Sequence, residues 1–268
     1  MTWFLARHRR RFLNAGMEDT VRWCAGPDKT VLGNHRTDQY WIEIFAPSAA
    51  PVSAGIARLF LETLKLAGGW DYEAVARLIN NLRATTAFLP DRDIPSLAHA
   101  LRRLQDREIV CITAASKLAQ LVFPAAEVHI RQELSWQAIL SRQQHPLSGM
   151  ALQNAQDWYA SAQDYVSYHA ECRRILAGEM TRADFIEAAE VVTSLLRTVP
   201  GPLSDPAIPD AFFQRYLLDK MLFHEGWHIK FGRIANCDES IPVNDQLRPG
   251  LYQRLRSYIR LGASEAIA

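Results

Sequence analysis

The residues of this chain best equipped for chemistry fall in two places. The first is Lys117, which closes a run of four small residues, Thr113, Ala114, Ala115 and Ser116, after the apolar stretch Ile109, Val110, Cys111 and Ile112. Small side chains ahead of a helix let another backbone come close. The free N–H groups of that helix's first turn then form a site for a phosphate oxygen. A lysine desolvated against apolar neighbours and a helix N-terminus has its pKa pushed down and becomes a usable nucleophile. The short apolar helix signal from Leu118 to Phe123 follows, stopped by Pro124.

The second place is His224-Glu225-Gly226-Trp227-His228, an HExxH. On a helix, residues four apart share a face, so both imidazoles can hold one zinc ion while Glu225 activates its bound water. This is the alternative reading, a zinc-dependent hydrolase. Gly226 costs the helix about 1 kcal/mol relative to Ala, and Lys230 places a positive charge close to a dication. A third ligand would come from Asp238, Glu239, Asp245 or Glu265, none at a distinctive spacing. The competing structural reading is a histidine pair packed with Phe223 and Trp227.

The elements that position these groups read as helices. Ser53 can cap a helix carrying Ile56, Leu59, Phe60, Leu64 and Leu66, ended by Gly68 and Gly69. Asp71 caps the next, with Val75, Leu78, Ile79 and Leu82 on one face. Residues 90 to 95 read as a turn, with Ser96 opening a helix over Leu97, Leu101 and Leu104. Helices are expected over 130–143, 150–176 and 249–261, and from Thr181, in a capping box with Asp184, to Arg197. Residues 199 to 209 read as a linker, and Asp210 caps a long helix to about Phe231. Residues 2 to 14 form a basic helix, 25 to 52 read as loop, and Tyr40 to Phe45 is the one strand-like run. The fold class expected is all-α, a bundle-like enzyme fold. Three regions are expected: 1–52 (basic helix and loop), 53–198 (a helical domain) and 199–268 (helices packing on the same body).

Composition sets outer limits. With 49% apolar and 22% charged residues, the 268-residue chain reads as an ordinary globular protein able to bury a core. A net charge of +1 announces no global field for nucleic acid or membrane, so an anionic partner must be held by local clusters. The best of these is Arg7 to Arg11, with Arg102, Arg103 and Arg107 as another. No apolar run is long enough to cross a bilayer, and the N-terminal charge follows the apolar residues, the reverse of a secretory signal. Cys24, Cys111, Cys172 and Cys237 are too far apart for a disulfide framework or a CxxC site. A cytoplasmic protein with reduced thiols, no cofactor and no membrane partner is expected.

The order of residues around Lys117 resembles one known arrangement. Ile112 to Ala119, followed by Glu127-Val128-His129-Ile130, is similar to the hairpin–lysine–acid run of the helix–hairpin–helix DNA glycosylases, the superfamily of endonuclease III and 8-oxoguanine DNA glycosylase. The resemblance implies a helix–hairpin–helix at about 97–124 and a double-stranded DNA partner. It also implies excision of a damaged or modified base, flipped out of the stack, with possible Schiff-base strand nicking. Lys117 would be the nucleophile, and Glu127 or Glu133 the acid that stabilises the cationic sugar. Thr113, Ala114, Ala115, Ser116, His129 and Arg131 would hold the DNA. The same hairpin without catalysis would be a DNA-binding helical module, and with neither property an interaction module.

Overall fold

Two helix-start signals in the sequence, Ser53 and Asp71, stand where helices begin. The computed structural model describes residues 2–25, 36–66, 68–106, 111–142, 163–231 and 254–255. Its helices are α1 (Thr2–Ala25), α2 (Asp38–Phe45), α3 (Ala54–Thr63), α4 (Tyr72–Arg83), α5 (Pro90–Arg102), α6 (Ile112–Val122), α7 (Glu133–Arg142), α8 (Gln163–Glu179), α9 (Ala183–Arg197) and α10 (Asp210–Phe231). A short 3-10 turn, Pro202–Ser204, precedes the last helix. The described residues contain no strand, only one isolated bridge between Trp70 and Gln105, so the fold is all-α. None of their helices is long and apolar enough to cross a membrane.

Ser53 caps α3 through Ile56 N at 3.4 Å, and Asp71 caps α4 through Ala74 N at 2.9 Å. Three expectations need correction. Tyr40 to Phe45 is helix, not strand: Thr37 Oγ1 accepts from Tyr40 N at 3.3 Å, and Trp41 and Phe45, one turn apart, stack at 5.4 Å in the core. Pro90 to Pro95 is not a turn but the start of α5. Pro90 occupies the first helical position, where its missing N–H costs nothing. Asp93 accepts from Leu89 N at 2.7 Å, satisfying a backbone donor at that same end. Thr181 and Asp184 form no capping box; Thr181 Oγ1 donates back to Gly178 O at 2.7 Å and Arg182 stands at the N-cap. Of the helix expected over 150–176, Trp158 and Tyr159 lie outside the described residues, as does nearly all of 249–261.

The centre of the molecule is α10. Residues on all its faces are buried, from Phe212 to Gly226, and they include the ionisable side chains Arg215, Asp219, Lys220, His224 and Glu225. It packs chiefly between α1 and α7, with α8 and α9 also against it. Two glycines permit these approaches. A Cβ on Gly16 would come within 3.0 Å of Met221 N, and one on Gly226 would lie 1.8 Å from the carbonyl oxygen of Leu134. The glycine inside the HExxH is there because α7 crosses α10 at that point.

The other helices pair as α3 with α4, α5 with α6, and α2 with both α1 and α6. The turn after α2 is fixed by Arg83, whose guanidinium donates to the carbonyls of Ala46 (2.6 Å), Ala49 (2.7 Å) and Ala50 (2.9 Å). Asn80 adds a reciprocal pair with the backbone of Val52, both bonds at 2.9 Å. These bonds tie the segment after α2 to α4, while α2, with Asp38, packs on α6.

Candidate active site

Lys117 is the residue around which buried polar groups gather. It lies on the second turn of α6 and is only 8% exposed. Its Nζ donates to the Asp38 carboxylate, with Tyr216 Oη at 3.3 Å and Gln120 Oε1 at 3.5 Å. Asp38 opens α2 and is 1% exposed. A carboxylate in a helix's first turn is favoured by the free N–H groups there. The ammonium also lies 4.9 Å from the centre of the Tyr216 ring.

One turn beyond Tyr216 on α10 is a second buried amine, Lys220. Its Nζ stands 4.7 Å from the Trp23 ring centre and 5.5 Å from that of Tyr216. Burial pulls the Lys220 amine below its ordinary value. The Asp19 and Asp38 charges act against this, and the Lys117 charge adds to the fall. Burial, helped by Asp38, likewise pushes the Tyr216 hydroxyl and the Cys24 thiol well up. Asp19 completes the set. Burial raises its carboxyl, but the His224 hydrogen bond, at 2.9 Å from Nε2, and the Lys220 charge outweigh that and hold it below its usual range. Four helices thus contribute: α1 (Asp19, Trp23, Cys24), α2 (Asp38), α6 (Lys117, Gln120) and α10 (Tyr216, Lys220, His224).

The residues expected from the sequence are distributed differently. Thr113, Ala114, Ala115 and Ser116 lie inside α6, whose N-cap is Cys111, and residues 107–110 lie outside the described residues. Thr113 is exposed, its hydroxyl donating to Arg131 O at 2.6 Å, while Ala114, Ala115 and Ser116 are buried. His129 and Arg131 are wholly buried; the Arg131 guanidinium stands 5.5 Å from both the Trp136 and Tyr168 ring centres. Glu127 and Glu133 are at the surface, paired with Arg173 at 3.3 Å and Lys230 at 2.9 Å. The acid beside the amine is therefore Asp38.

The HExxH residues turn to separate partners. His224 faces Asp19, and His228 lies between His8 and Phe12 at ring separations of 5.4 and 5.6 Å. Glu225 is gripped by Arg142, whose Nη2 donates to Oε2 at 2.7 Å and whose Nε donates to both carboxylate oxygens at 3.0 and 3.1 Å. Arg142 and Glu225 form one wall of a cavity of about 410 Å³ that Arg9, Glu179 and Arg182 also line.

Family models, curated proteins and solved structures were all compared with the chain, and none matches.

Asp38, Tyr216, Lys220 and Asp19 were not among the residues singled out from the sequence. The signal available for Asp38 was local, a Thr37–Asp38 pair ahead of an aromatic run, which is a helix N-terminus signature. For Tyr216 and Lys220 it was their four-residue spacing on α10.

Proposed function

We propose that the chain is a DNA glycosylase-like enzyme that excises a damaged or modified base, with Lys117 as the nucleophile and Asp38 as the acid. One observation supports this above all: a buried amine faces a buried carboxylate, with a tyrosine hydroxyl beside them. In the reaction, the amine attacks the sugar C1′ as the glycosidic bond breaks and the base leaves with the bonding electrons. The departing base takes the proton that the Lys117 ammonium loses as it attacks. The Asp38 charge stabilises the cationic sugar while the C1′–N bond forms, and Asp38 then carries the second nitrogen proton to the ring oxygen. Ring opening then gives a Schiff base between the sugar and Lys117. Double-stranded DNA is the partner in this reading, with phosphate contacts supplied by exposed arginines such as Arg103, Arg173 and Arg182.

Borohydride trapping across a panel of oxidised, alkylated, deaminated and mispaired bases tests the reading. A covalent adduct that is lost in Lys117→Ala is expected. No adduct with any lesion would remove the Schiff-base chemistry. A second reading, a helical interaction module in which Lys117 and Asp38 form a structural ion pair, is favoured by the depth at which both side chains lie. It predicts a stable protein that neither traps nor binds DNA with the steep salt dependence of phosphate contacts.

A further inference from the structure

Away from the lysine cluster, the segment joining α6 to α7 carries a different set of donors into the core. His129 from that segment, Cys172 from α8 and Asp219 from α10 are all buried, and one ligand atom from each lies within 4.8 Å of the others. We propose that these three side chains bind one divalent metal ion of the zinc class, which ties the 124–131 segment to α8 and α10.

The donor types fit that ion. Imidazole nitrogen, thiolate sulfur and carboxylate oxygen are the three ligand kinds zinc takes, and the mixed set is too soft for magnesium or calcium. His129 Nδ1 and Asp219 Oδ1 are 3.1 Å apart. Bonds of 2.0–2.1 Å in a tetrahedral site place two such ligands about 3.3 Å apart, so an ion enters between them with a small shift. The thiolate and carboxylate carry two negative charges, and the filled site is neutral, a condition for burying an ion in an apolar core. The other Asp219 oxygen accepts from Ile130 N at 3.0 Å, the outer-shell support that ligating carboxylates generally have.

Proton balance follows from the ring. Without metal, the 3.1 Å bond to the Asp219 carboxylate places the ring proton on His129 Nδ1. To ligate through Nδ1 the ring moves that proton to Nε2, which is buried and has no hydrogen-bond partner among the described residues. Cys172 releases its thiol proton to solvent, so metal uptake frees one proton and strengthens as pH rises. Three protein donors leave one coordination position for a water molecule. The site is separate from the HExxH, whose histidines are engaged with α1, and does not depend on the glycosylase reading.

The full chain, purified without metal-affinity resin or chelator and then stripped, is titrated with Co²⁺. A thiolate-to-cobalt charge-transfer band in the near ultraviolet is expected, saturating at about one equivalent. Cys172→Ser should remove the band and weaken Zn²⁺ binding, measured by competition with a chromophoric chelator, by more than about 100-fold. A band that persists in Cys172→Ser with its helical circular dichroism retained would overturn the site. The wild-type chain supplies a readout that needs no variant: its thermal midpoint falls when a chelator is added. No charge-transfer band, or a midpoint indifferent to chelator and to zinc, overturns the proposal as well.

Discussion

Replacing Asp38 with Asn removes one charge from the Lys117 pair and leaves a side chain of the same shape. Because Asp38 is 1% and Lys117 8% exposed, water does little to screen the ammonium left behind. Its remaining partners are neutral and distant, Tyr216 Oη at 3.3 Å and Gln120 Oε1 at 3.5 Å, and the second buried amine, Lys220, repels it. Breaking a buried pair from one side costs about 3–5 kcal/mol. The lower half of that range applies here, because the Asn oxygen still accepts a hydrogen bond. For a chain of this size about 3–4 kcal/mol is roughly a 6–16 °C fall in thermal midpoint. Guanidinium denaturation followed by far-UV circular dichroism measures it, with an unchanged slope showing that the folded state is intact. The double variant Asp38→Leu/Lys117→Met should recover most of the loss, because no buried charge remains. A loss under about 1 kcal/mol in Asp38→Asn would mean that the pair behaves as a solvated surface pair, and the burial argument would be wrong.

Gly226→Ala and Gly178→Ala should have opposite signs in the same denaturation assay. At Gly226 the new Cβ falls 1.8 Å from Leu134 O, and separating the helices costs about 2 kcal/mol or more after the propensity gain. At Gly178, with nothing within 4 Å, helix propensity alone should stabilise by about 0.5–1 kcal/mol. Lys220→Met should be more stable than wild type at neutral pH. The folded chain holds the Lys220 proton less tightly than the unfolded chain does, so this residue's contribution becomes more favourable as pH rises from its lowered folded value towards the ordinary 10.5. The advantage of Lys220→Met should therefore shrink across that window; an advantage that grows with pH would reverse the sign of the burial effect. Arg83→Ala removes the side-chain donor from the carbonyls of Ala46, Ala49 and Ala50 and leaves Ala46 O only the Ala49 N–H. It should cost about 2–3 kcal/mol and loosen the end of α2, seen as faster amide exchange over Asp38–Phe45.

Elements whose start signal is local were legible in the sequence. Ser53 and Asp71 each stand just before a helix that their side chains cap, whereas Asp210 is the first residue of α10 with its carboxylate paired to Arg197; the all-α class follows from the periodicity after them. Where the local signal competes with tertiary packing, the reading fails. Tyr40 to Phe45 has the residue types of a strand, and it is helical because Trp41 and Phe45 pack into the core beside Phe60. Pro90 and Pro95 look like breakers, but one sits at a position without an intrahelical N–H bond and the other is absorbed inside α5.

At the candidate site, Lys117 stood out because it ends a patterned run. Its carboxylate did not, since Asp38 is 79 residues away in sequence and reaches the amine only through the packing of α2 on α6. Glu127 and Glu133 are close in sequence to Lys117, but the chain carries them to the surface. The HExxH spacing does place His224 and His228 on one face of α10, as helix geometry requires. That face is covered by α1, which supplies a carboxylate to one histidine and ring contacts to the other.

The most direct test of the account is to find which lysine carries the sugar. Borohydride-reduced protein–DNA adduct is digested with protease and nuclease, and the modified peptide is sequenced by mass spectrometry. The account predicts the sugar remnant on Lys117, with the adduct greatly reduced in Asp38→Asn protein that still folds. A remnant on Lys220, on a surface lysine such as Lys230 or on the terminal amine, or adduct formation untouched by Asp38→Asn, would contradict it.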